Sequence, residues 1–194
     1  MDSRLLNTKI IPSNAENLLF RLSWASKQPM ECDLMAFMLD ENDSIPTRWD
    51  IIFYNVHRHE SRSIEQLGLK LNSCGGKDEI KVIPNKIPDN FKKILFLSCV
   101  YEGHEQNQDL TDAHNLIFEI INIETNDTLF QYTISSPKIG DESVILGALI
   151  RENNSWTYEV LDTKCSEQLI GVIATHYGMR VDWRSDYKNI TGVN

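Results

Sequence analysis

Residues 30–40 read M-E-C-D-L-M-A-F-M-L-D, and residues 50–55 read D-I-I-F-Y-N. Each stretch is a short apolar run with acidic or amide side chains at its ends, a pattern typical of buried β-strands bounded by polar turns. Asp and Asn at strand ends supply the oxygen ligands that a hard cation prefers. The two stretches therefore predict two strands with candidate cation ligands at their ends.

Short apolar runs of the same kind recur along the chain, bounded by Gly, Pro, Asn and Asp. They predict strands at residues 18–24, 33–39, 51–55, 64–71, 79–83, 93–101, 116–123, 128–134, 144–151 and 156–161. The turn sequences E-T-N-D at 124–127 and E-N-N-S at 152–155 predict two β-hairpins. Short strands at this spacing favour an antiparallel β-sandwich.

One segment near the end of the chain breaks the strand pattern and predicts a C-terminal helix. Ser166 is a suitable N-cap, apolar residues recur at helical spacing up to Tyr177, and Gly178 supplies a left-handed stop. We therefore predict a mainly β protein, an antiparallel β-sandwich with a C-terminal helix. A single domain is expected over residues 1–182, followed by a surface tail over residues 183–194.

Composition and charge narrow the classes of function. The chain has 194 residues, of which 41% are hydrophobic and 24% charged, as in ordinary globular proteins. The net charge of −9 argues against nucleic acid as a partner and against unaided binding to anionic lipid, since both require clustered Lys and Arg. No apolar signal core or bilayer-spanning run is visible, so we expect a cytoplasmic protein without an integral membrane segment.

The spacing of the cysteines and the absence of catalytic motifs narrow the classes of function further. Cys32, Cys74, Cys99 and Cys165 are widely spaced without a C-x-x-C motif, so we interpret them as reduced thiols. The sequence has no nucleophile elbow, no phosphate-binding Gly loop and no H-E-x-x-H motif. We therefore expect a protein without enzymatic activity.

Several motifs occur in the order and spacing of the tellurium-resistance TerD family, which the chain resembles. M-E-C-D-L-M-A-F-M-L-D (30–40) resembles the family's F-D-L-D-A-S-A-F-L-L-D, and D-I-I-F-Y-N (50–55) resembles D-F-V-F-Y-N. G-G-K-D-E-I-K-V (75–82) resembles G-D-D-E-x-I-x-V, and R-E-N-N-S-W-T-Y (151–158) resembles R-H-N-G-E-W-K-F. The shared order covers most of the chain, which makes coincidence a poor explanation.

The resemblance implies a β-sandwich that binds calcium, in bacterial proteins linked to tellurite resistance and general stress, without established catalytic residues. The family's calcium ligands are acidic and amide side chains in loops at one end of the sandwich. Carried over by position, the candidate metal ligands here are Glu31, Asp33, Asn55, Asp78, Glu79 and Asn115. The implied partners are other stress or tellurite-resistance proteins, and a peripheral membrane complex stays open.

Departures from the family pattern weaken the expected calcium site. Glu31 replaces the first Asp of the family's D-x-D, and Lys77 replaces one Asp of its D-D-E. The family's G-D-N is Gly68-Leu69-Lys70 in this chain. Calcium takes about six to eight oxygen ligands, so we expect one weakened site or none. Two functions stay open: a calcium-binding module that acts through partner binding, and a metal-independent scaffold in which lysines replace the calcium charge.

The carboxylates, taken without the family, allow two interpretations. Glu31 and Asp33 alternate along a strand, so both point to one face and repel each other unless a cation or hydrogen-bond donors lie between them. The alternative is a solvated strand edge. Asp78 and Glu79 follow the glycines at 75–76, which predict a flexible turn that either folds back on an ion or is an ordinary polar hairpin.

The Asn and His candidates also allow more than one interpretation. Asn55 and Asn115 flank apolar strands, where an amide is either a ligand or a hydrogen-bonding partner of nearby backbone. His57 and His59 could chelate a transition metal, but their charged neighbours favour an exposed loop. The polar loop at 102–112 is a partner surface, a poor second cation site or an ordinary solvated loop.

Overall fold

The chain folds into two antiparallel β-sheets packed face to face. The computed structural model describes residues 8–153, 155–167, 171–172 and 177. The strands are β1 (Thr8–Ile11), β2 (Leu18–Ser26), β3 (Cys32–Leu39), β4 (Ile51–Ile52), β5 (Ile64–Gln66), β6 (Lys70–Asn72), β7 (Gly75–Val82), β8 (Lys93–Val100), β9 (Ala113–Asn122), β10 (Thr128–Thr133), β11 (Ser143–Glu152) and β12 (Ser155–Cys165). Sheet A has the order β1-β12-β11-β8-β3-β4, and sheet B has the order β10-β9-β2-β7-β5, with β6 also pairing with β7. The prediction of a mainly β protein with antiparallel sheets is confirmed.

The main hydrophobic core lies between the sheets because the strands alternate buried and partly exposed side chains. In β2, Leu18, Phe20, Leu22 and Trp24 are buried, while the residues between them are partly exposed. Phe20 stacks on Phe96 of β8 with ring centroids 4.1 Å apart, which joins the two sheets. Each large apolar side chain buried in this way contributes roughly 1.5–3 kcal/mol, so this core is the main source of stability.

β3 is buried on both faces, unlike β2. Its inward side chains join the main core, whereas Phe37 and Leu39 belong to a second apolar cluster on the outer face of sheet A. Ile45, Val172 and Tyr177 contribute to this cluster, and the Tyr177 ring meets Phe37 edge-on with centroids 5.8 Å apart. Both faces of β3 are therefore apolar from Leu34 to Leu39, which explains the continuous hydrophobic sequence after Asp33.

The predicted C-terminal helix is not borne out. Within the described residues the one bounded α-helix is α1 (Gly103–Gln106), a single turn after β8. β12 stays extended up to Cys165 because its pairing with β11 continues to that residue. Residues 171–172 and 177 have helical backbone, but the rest of the predicted helix and the tail at 183–194 lie outside the described residues. No described helix is long and apolar enough to cross a membrane.

The strand predictions hold for the hairpins and fail at irregular points. β9 pairs with β10 and β11 pairs with β12, as the turn sequences predicted. β1, which pairs with β12 at the edge of sheet A, was missed. The predicted strand at 64–71 is divided into β5 and β6, because Gly68 adopts a φ of +92° and interrupts the pairing with β7.

Of the two alternatives for the segment around residues 75–76, the polar hairpin is confirmed, because β6 and β7 form a hairpin through the turn at residues 73–74. The glycines themselves lie within β7 and not in the turn. Gly75 pairs with Ala25 of β2 and adopts a φ of +141°. A Cβ atom there would lie 2.1 Å from the Trp24 carbonyl oxygen. The glycine is therefore required by a close approach of two backbones and not by a turn.

The four cysteines are free thiols, as their spacing indicated. Cys32, Cys99 and Cys165 are buried, whereas Cys74 is exposed. Burial raises the pKa of the Cys32, Cys99 and Cys165 thiols above the ordinary value. Because the thiolate is the reactive species, the buried cysteines serve as small core residues.

Candidate functional site

The site forms where β3 extends beyond its short partner β4. β4 pairs only with Ala36 and Phe37, so Leu34 has no strand beside it on that edge. Asp78 of β7 accepts a hydrogen bond from the Leu34 N–H at 2.8 Å, and the Gln66 amide of β5 donates one to the Leu34 carbonyl at 3.2 Å. Two polar side chains of sheet B thus replace a strand and connect the two sheets.

The Asp78 carboxylate accepts several hydrogen bonds as part of this connection. Besides the Leu34 N–H, its carboxylate accepts hydrogen bonds from the Glu79 N–H at 2.9 Å and from Gln66 Nε2 at 3.0 Å. Burial raises the pKa of Asp78 above its ordinary value, although the hydrogen bonds from Leu34, Glu79 and Gln66 oppose the shift. The donors occupy most of the acceptor capacity of the carboxylate, so Asp78 has a structural role at the edge of β3.

A cavity of about 310 Å³ opens beside this edge. The residues that line it are Glu31, Asp33, Tyr54, His57, Gln66, Gly68, Leu69 and Tyr101. The two carboxylates come from the start of β3, and Gln66 comes from the end of β5. Gly68 and Leu69 belong to the interruption between β5 and β6. The positive φ of Gly68 therefore shapes one wall of the cavity.

Asp33 is the most deeply buried carboxyl group in the lining, with 5% of its surface exposed. Burial raises the pKa of Asp33 to about 7, and the negative charges of Asp78 and Glu31 add to this shift. Within the described chain, the ion pairs of Lys, Arg and His leave these three carboxylates without a cationic partner. The cavity thus holds negative charge that a proton or another cation would neutralise.

Gln66 adds a buried acceptor to the same cavity. Its Nε2 donates to the Leu34 carbonyl and to the Asp78 carboxylate, both of which accept, so the orientation of the amide is fixed. Its Oε1 is buried without a hydrogen-bond partner, and the residue is 6% exposed. Burying an unsatisfied acceptor costs about 1–3 kcal/mol. Gln66 therefore carries an unpaired acceptor and is one of the residues that line the cavity.

Glu79 is next to Asp78 in the chain but lies in a different environment. Its carboxylate contacts Arg21 Nε at 2.7 Å, Lys70 Nζ at 3.1 Å and Lys77 Nζ at 3.1 Å. Burial raises the pKa of Glu79, but hydrogen bonds from these three side chains outweigh it and lower the pKa to about 2. Basic side chains of the protein itself neutralise this predicted metal ligand.

The two predicted amide ligands are not part of the cavity lining. Asn55 lies in the turn after β4, between the bridged residues Phe53 and Val56. Asn115 is exposed and adopts a φ of +52° where the pairing of β9 with β2 is irregular. Asn tolerates this left-handed conformation better than most residues, which gives it a structural role in the bulge. Of the six predicted ligands, the structure brings only Glu31 and Asp33 into the cavity.

His57 and His59 face different surroundings and do not form a chelating pair. His57 is exposed and lines the cavity. His59 is buried; its Nε2 lies 3.1 Å from an Asp50 carboxylate oxygen, and its Nδ1 accepts a hydrogen bond from the Ser61 N–H at 3.2 Å. The expectation of an exposed loop is therefore wrong for His59, because Asp50 satisfies the imidazole in the interior.

The described residues contain no group of three or more His, Cys, Asp or Glu side chains arranged to hold a metal ion. Glu31, Asp33 and Gln66 Oε1 together supply at most about five oxygens, fewer than the six to eight that calcium takes, so water would complete the shell. This donor set fits one weak cation site. Gln66 was not among the predicted ligands, although counting in steps of two from the buried Ile64 places it on the inward face.

Comparison with known proteins confirms the family resemblance. The TerD domain family model matches residues 7–177. General stress protein 16U of Bacillus subtilis (strain 168) is 29% identical over 153 residues, covering 78% of this chain and 79% of that protein. Tellurium resistance protein TerD of Serratia marcescens is 24% identical over 178 residues, covering 89% and 92%. The crystal structure of a homologue of telluride resistance protein (TerD) from Streptomyces coelicolor A3(2) has a TM-score of 0.65 at 12% identity, covering 86% of this chain and 99% of that one. The chain belongs to the TerD domain family.

Proposed function

We propose that this protein is a non-enzymatic, calcium-binding module of the TerD type that acts in tellurite resistance or the general stress response through partner binding. The names of its relatives support the biological setting. The observation that supports the cation site is the cavity lined by Glu31, Asp33 and Gln66, a residue whose Oε1 is buried without a hydrogen-bond partner. Both carboxylates and the Gln66 amide oxygen would hold calcium there together with water, and its affinity would be modest because the protein oxygens are few.

The mechanism follows from the position of the cavity at the edge of β3, where its lining combines Glu31 and Asp33 with Gln66 of sheet B. Without a cation, the negative charges of Asp78 and Glu31 repel that of Asp33 at the junction of β3 and β7. Glu31, Asp33 and Gln66 would hold a divalent ion here, whose charge would remove this repulsion and connect the start of β3 in sheet A with the end of β5 in sheet B. That end of the sandwich becomes more ordered and presents a defined surface to a partner.

The partners in this proposal are other stress or tellurite-resistance proteins in the cytoplasm. The net charge of −9 disfavours nucleic acid and anionic membrane surfaces as direct ligands. A peripheral membrane complex assembled through a protein partner stays compatible with this charge.

The second candidate function is a metal-independent scaffold. The observation that favours it is the pair Lys70 and Lys77, whose ammonium groups both lie 3.1 Å from the Glu79 carboxylate. Ammonium groups in this position supply the charge that a metal ion would otherwise bring. On this alternative the fold is retained, and partners are bound without any ion.

Calorimetric titration of the metal-stripped protein with calcium, with magnesium as a second ligand, tests the proposal. We expect saturable calcium binding that is lost in Asp33→Asn and kept in Asp127→Asn, a matched change on the exposed β9–β10 turn. No heat, together with a melting temperature indifferent to calcium, would overturn the calcium module and favour the scaffold. Unchanged affinity in Asp33→Asn would show that the ion binds elsewhere.

A further inference from the structure

The cavity is much larger than a single ion with its direct ligands requires. Its volume of about 310 Å³ compares with roughly 30 Å³ for one water molecule in the liquid. Cavities that take small organic ligands begin at about 300 Å³. A bare ion bound to Asp33 would leave most of this space to water, so the size favours an occupant with several non-hydrogen atoms.

Besides the carboxylates, the cavity lining includes apolar and aromatic residues. Leu69 and Gly68 form one wall, where neither side chain offers an oxygen. Tyr54 and Tyr101 form another, with ring centroids 5.8 Å apart and ring planes at 89°. Ring faces attract cations, and aromatic side chains are used in other proteins to bind organic ammonium groups. A metal ion gains nothing from Leu69, whereas a methylene chain does.

The polar end of the cavity matches the donors of a primary ammonium group. Such a group has three N–H donors and no acceptor. Glu31, Asp33 and Gln66 Oε1 provide three acceptor groups, and two of them carry the opposite charge. A hydrogen bond from the ligand to Gln66 Oε1 would satisfy the acceptor that the protein leaves unpaired.

We propose that this cavity binds an alkylammonium group, with its charged head between Glu31, Asp33 and Gln66 and its methylenes against Leu69 and the tyrosine rings. The ligand is either a free aliphatic amine or the side chain of a lysine in a partner protein. The inference shares Glu31 and Asp33 with the proposed calcium site but does not depend on calcium binding. Calcium and the amine exclude each other, since both use the same carboxylates.

The test is a set of calorimetric titrations in the presence of chelator. Cadaverine represents the free amine, Nα-acetyl-lysine methylamide represents a lysine in a peptide, and tetramethylammonium is a cation without N–H donors. We expect saturable binding of at least one of the first two and at least about tenfold weaker binding of tetramethylammonium. Whichever probe binds more tightly identifies the source of the ammonium group.

The variants separate the carboxylate end from the apolar wall. Asp33→Asn is expected to weaken amine binding at least about tenfold and Leu69→Ser several-fold, while Asp127→Asn has no effect. Leu69→Ser is expected to leave calcium binding unchanged, because Leu69 offers calcium no oxygen. Urea unfolding of each variant verifies that it is folded.

The outcomes distinguish this inference from the proposed function. Calcium binding without binding of either amine overturns the alkylammonium site and leaves the calcium module standing. Amine binding without calcium binding supports the inference and overturns the calcium proposal. If tetramethylammonium binds as tightly as cadaverine, the assignment of the ammonium head group is overturned. If Leu69→Ser does not change amine binding, the assignment of Leu69 to the wall is overturned.

Discussion

Asp78 and Glu79 are neighbours in β7, yet their side chains lie in two opposite electrostatic regions. On the inner side, Asp78 lies near Asp33 and Glu31, where hydrogen-bond donors are present but the described chain provides no cationic partner. On the outer face of sheet B, Glu79 contacts three basic side chains. The pleat of one strand thus separates a neutralised carboxylate from a cluster that still lacks positive charge.

Because of this difference in charge environment, the predicted ligands Glu79 and Asp33 are expected to differ in cation binding. Glu79 already has the counter-charge that a metal ion would bring, and its pKa of about 2 keeps it ionised. Asp33 has none, and its pKa of about 7 leaves it partly protonated at neutral pH. A cation is therefore expected to bind on the Asp33 side of β7 and not on the Glu79 side.

The largest expected effect comes from Asp78→Ala, which removes the acceptor shared by the Leu34 N–H, the Glu79 N–H and Gln66 Nε2. Each buried donor left unsatisfied costs about 1–3 kcal/mol, so we expect a loss of roughly 3–5 kcal/mol in the free energy of unfolding. Urea denaturation measures it. A loss below about 1 kcal/mol would contradict the structural role of Asp78.

The second prediction is that Asp33→Asn increases the free energy of unfolding, whereas Asp78→Ala decreases it. The pKa of Asp33 is raised from 3.8 to about 7, so its contribution to stability is complete below about pH 4 and is lost as the pH rises through about 7. Asp33→Asn removes this loss. We expect the metal-free variant to be more stable than wild type at about pH 8 by roughly 1–4 kcal/mol, with a flatter pH profile.

Urea denaturation from about pH 4 to pH 8 in chelator checks this expectation, with Asp127→Asn as the control. A residual decline with pH remains in the variant, because the pKa of Asp78 is also raised. If the variant were less stable than wild type at the upper pH, the Asp33 charge would not destabilise the folded state.

Glu79→Gln tests the outer face of sheet B, where basic side chains neutralise the carboxylate. Its effect on stability is expected to be smaller. The pKa of Glu79 is lowered from 4.5 to about 2, so its contribution is present above about pH 4.5 and is lost as the pH falls through about 2. Lys70 is well exposed, and solvent screens part of the interaction. We expect a destabilisation of roughly 1–2 kcal/mol at neutral pH that disappears toward about pH 2.

The same variant responds to salt in a defined direction. Without the carboxylate, Arg21, Lys70 and Lys77 repel one another, and salt screens this repulsion. Raising the salt concentration should therefore reduce the difference in unfolding free energy between wild type and Glu79→Gln. A difference that grows with salt would contradict the ionic explanation of this cluster.

The smallest expected effect is that of Lys70→Gln. The Lys70 side chain is 60% exposed, and exposed ion pairs contribute about 0–1 kcal/mol. We expect a destabilisation of at most about 0.5 kcal/mol by urea denaturation, and slightly more for Lys77→Gln, whose side chain is 39% exposed. Equal calcium binding in wild type and both variants is also expected, since the lysines lie on the other side of β7.

The regular part of the fold could be predicted from the sequence, and the irregular part could not. The alternation in β2 and the turn sequences before β10 and β12 are local signals, and they fix strands and hairpins directly. The interruption at Gly68 and the role of Gly75 depend on a neighbouring strand, which the local sequence does not reveal. β1 is a short edge strand whose formation depends on pairing with the distant β12.

The site was predictable only where it follows strand periodicity. Glu31 and Asp33 lie two residues apart, and the structure places both in one cavity. The different fates of Asp78 and Glu79 depend on Leu34 and Arg21, which reach them from other strands. Likewise, the burial of His59 follows from its contact with Asp50, which spacing along the chain does not show.

The most direct test is the melting temperature of wild type and Asp33→Asn at about pH 8, each with chelator and with millimolar calcium. If a cation binds on the Asp33 side of β7, calcium raises the melting temperature of wild type and leaves that of Asp33→Asn unchanged. Glu79→Gln, measured alongside, should respond to calcium like wild type. An equal rise in wild type and Asp33→Asn, or a response lost only in Glu79→Gln, would contradict the assignment of the cation to Asp33.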